Sequence, residues 1–186
     1  MTDDILTQPA VNTLPLQPSM KGTRSPDNEG YDTLIQDSLR REDIKVVVED
    51  GPDWKLRLAE ITAAVNPLLA AASPLLCALA QMPRELSPGF VEHYRALLER
   101  EVRRYQTLCD QANLRREHVL AVRYCLCTSL DEAANNTTWG RRGVWAGKSL
   151  LVTFHGESEG GIKLFQIIGR LAASFQEHSD VLEIIY

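Results

Sequence analysis

The chain lacks the motifs that usually announce chemistry. Its 186 residues contain no C-x-x-C pair and no H-E-x-x-H, so no zinc site or redox dithiol is written in its ligand spacing. The four cysteines stand singly or badly placed for a shared ion. Cys125 and Cys127 are two apart in a helix-period segment and point about 200° away from each other, while Cys77 and Cys109 lie in apolar stripes, as small core residues do. Four free thiols fit a reducing compartment, and no metal or cofactor is expected. The Gly160-Gly161 pair is no phosphate loop, because the G-x-x-x-x-G-K-[ST] pattern and its lysine are missing. It reads as flexible backbone ahead of a helix start, with Glu157 and Glu159 suited to that helix's positive end.

Long apolar runs are missing too. No positively charged start leads into an apolar core, so no secretory leader is expected. The most apolar stretch, Ile61 to Ala80, is interrupted by Asn66, Pro67, Ser73 and Pro74 and makes a poor membrane span. Charge is unevenly placed: residues 1–50 hold five basic and ten acidic side chains, which accounts for the whole net charge of −5. The rest balances, and no basic face suggests nucleic acid as a partner. The acidic first fifty residues carry Pro9, Pro15, Pro18 and Pro26 and no sustained apolar period, the composition of a flexible arm or linker. Within it, Ile44-Lys45-Val46-Val47-Val48 reads either as a docked extended piece or as a sticky patch.

What is present is helical period, and an all-α fold of about six or seven helices is expected over residues 51–186. From Pro88 to Ala112, Phe90, Tyr94, Leu97, Leu98, Tyr105, Leu108 and Ala112 recur at three- and four-residue steps, with Glu92, Arg95, Glu99 and Arg103 on the other face. Ser87-Pro88 has the form of an N-cap followed by proline at the first helical position. Asn66-Pro67 and Ser73-Pro74 repeat it, predicting a short turn of helix and then a second. Glu117 to Ala134 is a third strong helix, and Gly161 to His178 a fourth. A new pattern opens at Ser179-Asp180 and stops at Val181-Leu182-Glu183-Ile184-Ile185-Tyr186, like a helix cut short. Leu150-Leu151-Val152-Thr153-Phe154 is the one β-like run, too short and isolated to build a sheet.

The densest segment is Leu130 to Gly161, a long connection between two helices, and structured connections of that length tend to be functional. Asp131 follows Cys127, Tyr124 and Leu120 at helical spacing and shares their apolar side, whereas Glu132 points about a quarter turn away. Both acids occupy the last turn, where the helix dipole makes a carboxylate unfavourable by roughly 0.3–1 kcal/mol. Such a broken local rule is expected at specially bonded or functional positions. Two readings of Asp131 stand side by side: it accepts backbone N–H groups of the following loop, or it lines a negative cleft that receives a partner's donors. Trp139 and Trp145 read as loop anchors whose indole N–H groups find carbonyls. Arg141 and Arg142 form a solvated turn or an interaction rim. Phe154, His155, Glu157, Gly160 and Gly161 complete the set as loop-shaping residues.

These landmarks, in this order, resemble the DotU/IcmH/TssL family of inner-membrane subunits of type VI and type IVB secretion machines. The resemblance is carried by Arg123-Tyr124-Cys125-Leu126-Cys127 running into Leu130-Asp131-Glu132, then Thr138-Trp139-Gly140, Trp145, Ser149-Leu150-Leu151, Phe154-His155, Glu157, Gly160-Gly161 and Phe165. Asn66 to Leu76 resembles the family's other recurrent segment. Thr138 stands where the family usually has proline, and Ile162 and Leu164 where an acid and an aromatic are common. The resemblance implies a hook of two small helical bundles with a cleft between them. It further implies a cytoplasmic domain whose C-terminal transmembrane helix is truncated here, so that about twenty apolar codons are expected soon after Tyr186.

On function, the resemblance implies a non-enzymatic scaffold at the bacterial inner membrane. Its partners would be the large membrane-complex subunit (TssM/IcmF-like), baseplate proteins (TssK-like and TssE-like) and, in a homodimer, a second copy. Asp131, Glu132, Trp139, Arg141, Arg142 and Trp145 are the candidate partner-binding residues. The alternative is a hydrolase with Asp131, Glu132 and His155 as acid, base and orienting group, which requires these groups to converge on a closed pocket.

Overall fold

The computed structural model describes residues 52–143 and 145–185. The N-terminal arm, its Ile44–Val48 run and Tyr186 lie outside the described residues. Seven α-helices follow in chain order: α1 (Pro52–Ala63), α2 (Pro67–Ala80), α3 (Pro88–Gln111), α4 (Arg116–Asn135), α5 (Leu150–His155), α6 (Gly161–Ala173) and α7 (Ser179–Ile185). Two short 3₁₀ turns, Gly140–Arg142 and Ala146–Lys148, interrupt the connection between α4 and α5. No strand occurs among the described residues, and the all-α expectation holds.

Helix α4 is the axis of the molecule. Thirteen consecutive positions from His118 to Leu130 include only one, Ser129, that is not buried, so this helix is enclosed on nearly every side. Helices α2, α3, α5, α6 and α7 all pack on it, and α2 also meets α3 and α7. The buried side chains form one continuous cluster from Trp54 on α1 to Leu182 on α7. All seven helices contribute side chains to this cluster or to its partly buried margin.

Three local expectations are corrected. The segment around Ser73-Pro74 is not a second start: α2 runs unbroken with Pro74 inside it. An internal proline costs about 3 kcal/mol, and burial of Leu68, Ala71, Ala72 and Leu75 on one face of α2 offsets it. On α3 the inward face is Val91, Arg95, Leu98, Val102, Tyr105, Leu108 and Cys109, rotated from the expected one. Phe90 is left 62% exposed while Arg95 is 5% exposed. The third correction is Leu150–Phe154, which is helical and not β-like; its cause lies in the site described below. Ser87 occupies the N-cap position of α3, but its side chain makes no capping bond.

The ends of the chain order are tied by side chains. Trp54 Nε1 donates to Gln111 Oε1 at 2.7 Å, fixing the start of α1 to the end of α3. Asn66 does more. Its Oδ1 accepts from Leu69 N at 3.0 Å and caps α2, while its Nδ2 donates to the carbonyl of Asp180 at 2.9 Å and to Glu183 Oε2 at 2.8 Å on α7. Asn66→Ala should lower the unfolding free energy by about 1–2 kcal/mol through the lost cap. Asn66→Asp keeps the cap oxygen but sets a carboxylate against α7, and urea melts should place it no higher than the alanine variant.

Candidate functional site

The site is the end of α4 and the connection that leaves it. Asp131 is 7% exposed and accepts three bonds from the following segment. Trp145 Nε1 and Leu150 N donate to Oδ1 at 2.8 and 2.9 Å, and Leu151 N donates to Oδ2 at 2.8 Å. Burial pushes the Asp131 carboxyl above the ordinary carboxylate value, and these donors, with Ser149, pull it part of the way back. The two backbone donors belong to the first turn of α5. A helix start has N–H groups without partners and a positive dipole end, and both favour an acid there. Ser149 Oγ takes the next one, from Val152 N at 3.1 Å. An acid unfavourably placed at the end of its own helix is thus well placed at the start of another.

This explains why a run rich in β-formers is a helix. Leu150–His155 is six residues, too short to form alone, but Asp131 and Ser149 satisfy three N–H groups that a helix start would leave open. Capping overrides the β preference of Val152, Thr153 and Phe154.

The two tryptophans hold the middle of the connection. Trp139 is 2% exposed, and its Nε1 donates to the carbonyl of Pro83 at 2.8 Å, with Thr138 Oγ1 donating to the neighbouring carbonyl of Arg84 at 3.0 Å. The loop is thereby pinned to the α2–α3 connection. Trp145 is fully buried and meets Trp139 edge-on at 5.4 Å between centroids. Tyr94 approaches the other side of Trp139 in the same way, at 6.1 Å. The Arg95 guanidinium lies 5.9 Å from the Trp145 ring centroid, which is why this arginine turns inward: a weakly hydrated planar cation is favoured over an aromatic face. Sequence reasoning missed Tyr94 and Arg95, and the only signal available was an arginine in register with Val91, Leu98 and Val102.

Gly140 fits where a side chain does not. A Cβ there would lie 2.0 Å from the carbonyl oxygen of Ala134, so the turn lies directly on the end of α4. Arg141, which follows, is exposed, as is Glu132 on α4. The side chain of Arg142 lies outside the described residues. The two acids are therefore separated: Asp131 is used up inside, and Glu132 faces out.

Past α5 a second cluster closes the connection. Tyr124 OH donates to Glu157 Oε2 at 3.0 Å, and Lys163 pairs with Glu157 Oε1. His155 is 4% exposed and sits edge-on to Tyr124 at 5.0 Å. Phe154 is half-buried with the Arg103 guanidinium 5.3 Å from its ring centroid. A Cβ on Gly160 would meet Thr128 Oγ1 at 2.6 Å, whereas one on Gly161 would meet nothing within 4 Å. The first glycine is there for close approach to α4 and the second is the exposed opening residue of α6.

The hydrolase arrangement is not assembled by this geometry. His155 stands by Tyr124, two helical turns or roughly 10 Å along α4 from Asp131, and Glu132 points outward. Burial pushes the Cys109 and Cys125 thiols up to about 12, far from the thiolate a nucleophile needs. No cluster suited to a metal ion occurs among the described residues. A groove of about 380 Å³ between α1 and α2, lined by Asp53, Leu56, Arg57, Glu60, Ala70 and Pro74, includes none of the candidate residues.

No helix of the described residues is long and apolar enough to cross a membrane. Comparison with curated proteins and with solved structures gives no match. The family model for type VI secretion system protein DotU matches residues 67–186, the part of the chain from α2 onward that holds the whole of this site. The match covers more than half of the sequence, and the chain belongs to the DotU family of type VI secretion system proteins.

Proposed function

We propose that this chain is a non-enzymatic scaffold of the type VI secretion membrane complex. In this reading it is held at the inner membrane, faces the cytoplasm, recruits baseplate components (TssK-like and TssE-like) and pairs with the large membrane-complex subunit (TssM/IcmF-like). The observation that carries the reading is the division of labour between adjacent acids. Asp131 spends both oxygens on the chain's own donors, while Glu132 and Arg141 stand exposed on the frame so built. Gly140 lies against the backbone of Ala134 and Asn135, which brings Arg141 to the end of α4 that carries Glu132. An exposed turn presenting charge of both signs suits docking of a protein surface.

The test is Glu132→Lys. The substitution replaces an acid at the unfavourable end of α4 with a base, so the melting temperature should stay level or rise slightly. Binding to the baseplate proteins or the large subunit should weaken, most strongly at low salt, because exposed charges are screened beyond about 10 Å at 0.1 M. A variant that melts early and binds normally would show that the acid serves only the fold.

A further inference from the structure

Helix α7 is held to the rest of the protein by a chain of polar groups unlike the apolar packing elsewhere. His118, in the first turn of α4, is 4% exposed. Its Nδ1 lies 2.9 Å from Asp180 Oδ2 in the first turn of α7. Its Nε2 lies 2.9 Å from Nδ1 of His178, the residue immediately before α7. Arg115, just ahead of α4, pairs with Glu177 at 2.9 Å, and Asn66 of α2 donates to the Asp180 carbonyl. Beneath these bonds only Val181 and Leu182 of α7 are buried. With Ile184 and Ile185 half-buried against the core beside them, this seven-residue helix joins a small apolar face to a polar tether.

We propose that the His118–His178 pair is a proton-operated latch on α7, closed at neutral pH and released when both imidazoles are protonated. With both rings neutral, His118 Nδ1–H donates to Asp180, and the bare Nε2 accepts from His178 Nδ1–H. A single proton on the pair keeps the contact, because one facing nitrogen then carries a hydrogen and the other can still accept it. A second proton leaves each facing nitrogen with a hydrogen and both rings positive, and at 2.9 Å that pair cannot close.

The surrounding charges agree with this order. Burial, then His118, and also Arg115 hold the His178 imidazole below the ordinary 6.5, with Glu177 and Asp180 acting the other way. Asn66, the cap of α2, is uncharged, and α6, which also packs on α7, buries Ile167 and Leu171 and carries one cation, Arg170, in its last turn. A base whose value is lowered in the closed state binds fewer protons there than in the open state. The latch is therefore at full strength above about pH 6.5 and weakens as pH falls below it, by up to tenfold in the opening constant per pH unit.

Hydrogen–deuterium exchange of the full chain tests this, read on peptides covering 179–185 and on peptides of α4, with rates corrected for the intrinsic pH dependence. Between pH 7.5 and pH 5.5 the α7 amides should exchange faster, by up to about tenfold, while those of α4 do not change. His178→Asn keeps a neutral hydrogen-bonding group and removes the titration, so its α7 amides should exchange at one rate at both values. The latch is overturned if α7 in the wild type shows no acceleration, if α7 and α4 accelerate together, or if His178→Asn retains the pH response.

Discussion

Asp131→Ala should lower the unfolding free energy by about 3 kcal/mol or more, measured by urea melts at pH 7. Three buried donors lose their acceptor at once, and an unpaired buried donor costs about 1–3 kcal/mol. The sum is held down because the ionised carboxylate itself is buried at a cost, which shows as its raised pKa, and alanine does not bear that cost. Asp131→Asn keeps one oxygen for Trp145 and Leu150 but turns an N–H toward Leu151 N, so it should lie between the two. The pH dependence has a definite sign. The folded carboxyl holds its proton to a higher pH than the unfolded one, so wild-type stability gains relative to the alanine variant as pH falls through the raised value. The gap between the two should widen in acid, and a gap that closes there would show that the three bonds, not burial, govern the site.

Gly140→Ala should cost about 3 kcal/mol, near the top of the range for overpacking. The contact at 2.0 Å is with the carbonyl oxygen of Ala134 and that at 2.6 Å with its carbon, backbone atoms in the last turn of α4 that have no rotamer to give. Relief requires lifting the 3₁₀ turn, which pulls Trp139 from Tyr94 and Trp145. The loss should appear in a thermal melt together with a red shift of tryptophan emission. Gly161→Ala is the control, because its Cβ meets nothing and it opens a helix. It should be neutral or stabilising by up to about 1 kcal/mol.

Helices α3 and α6 were legible because they carry the 3.6-residue period over three or more turns, and that period comes from burying one side of a cylinder. Three features were not legible, each because a distant group outweighs a local preference. Val152-Thr153-Phe154 reads as β until Asp131, about twenty positions earlier, is seen to cap it. Pro74 reads as a helix start until the apolar face of α2 is seen to carry the helix through it. Arg95 reads as a surface cation until Trp145 is seen beneath it. In the site, the separation of Asp131 from Glu132 follows from helical angle alone and was within reach of the sequence. The partners of Asp131 were anticipated only in kind, as N–H groups of the following loop. Their identity, Trp145 with Leu150 and Leu151, depends on how the chain returns, and no periodicity encodes that.

The way the connection is anchored has a consequence for how such a surface can change. Trp139 is fastened to Pro83 and Trp145 to Asp131, so the frame is fixed at two points that face inward. Arg141 and the Ala146–Lys148 turn are exposed beside those anchors, and a Cβ at Gly147 would touch nothing within 4 Å. Folding places few demands on these positions, so substitutions there can alter what the surface recognises while the melting temperature stays where it was. Selection for a new partner would have a short, sterically open stretch of side chains to work on, mounted on a platform that need not be rebuilt each time.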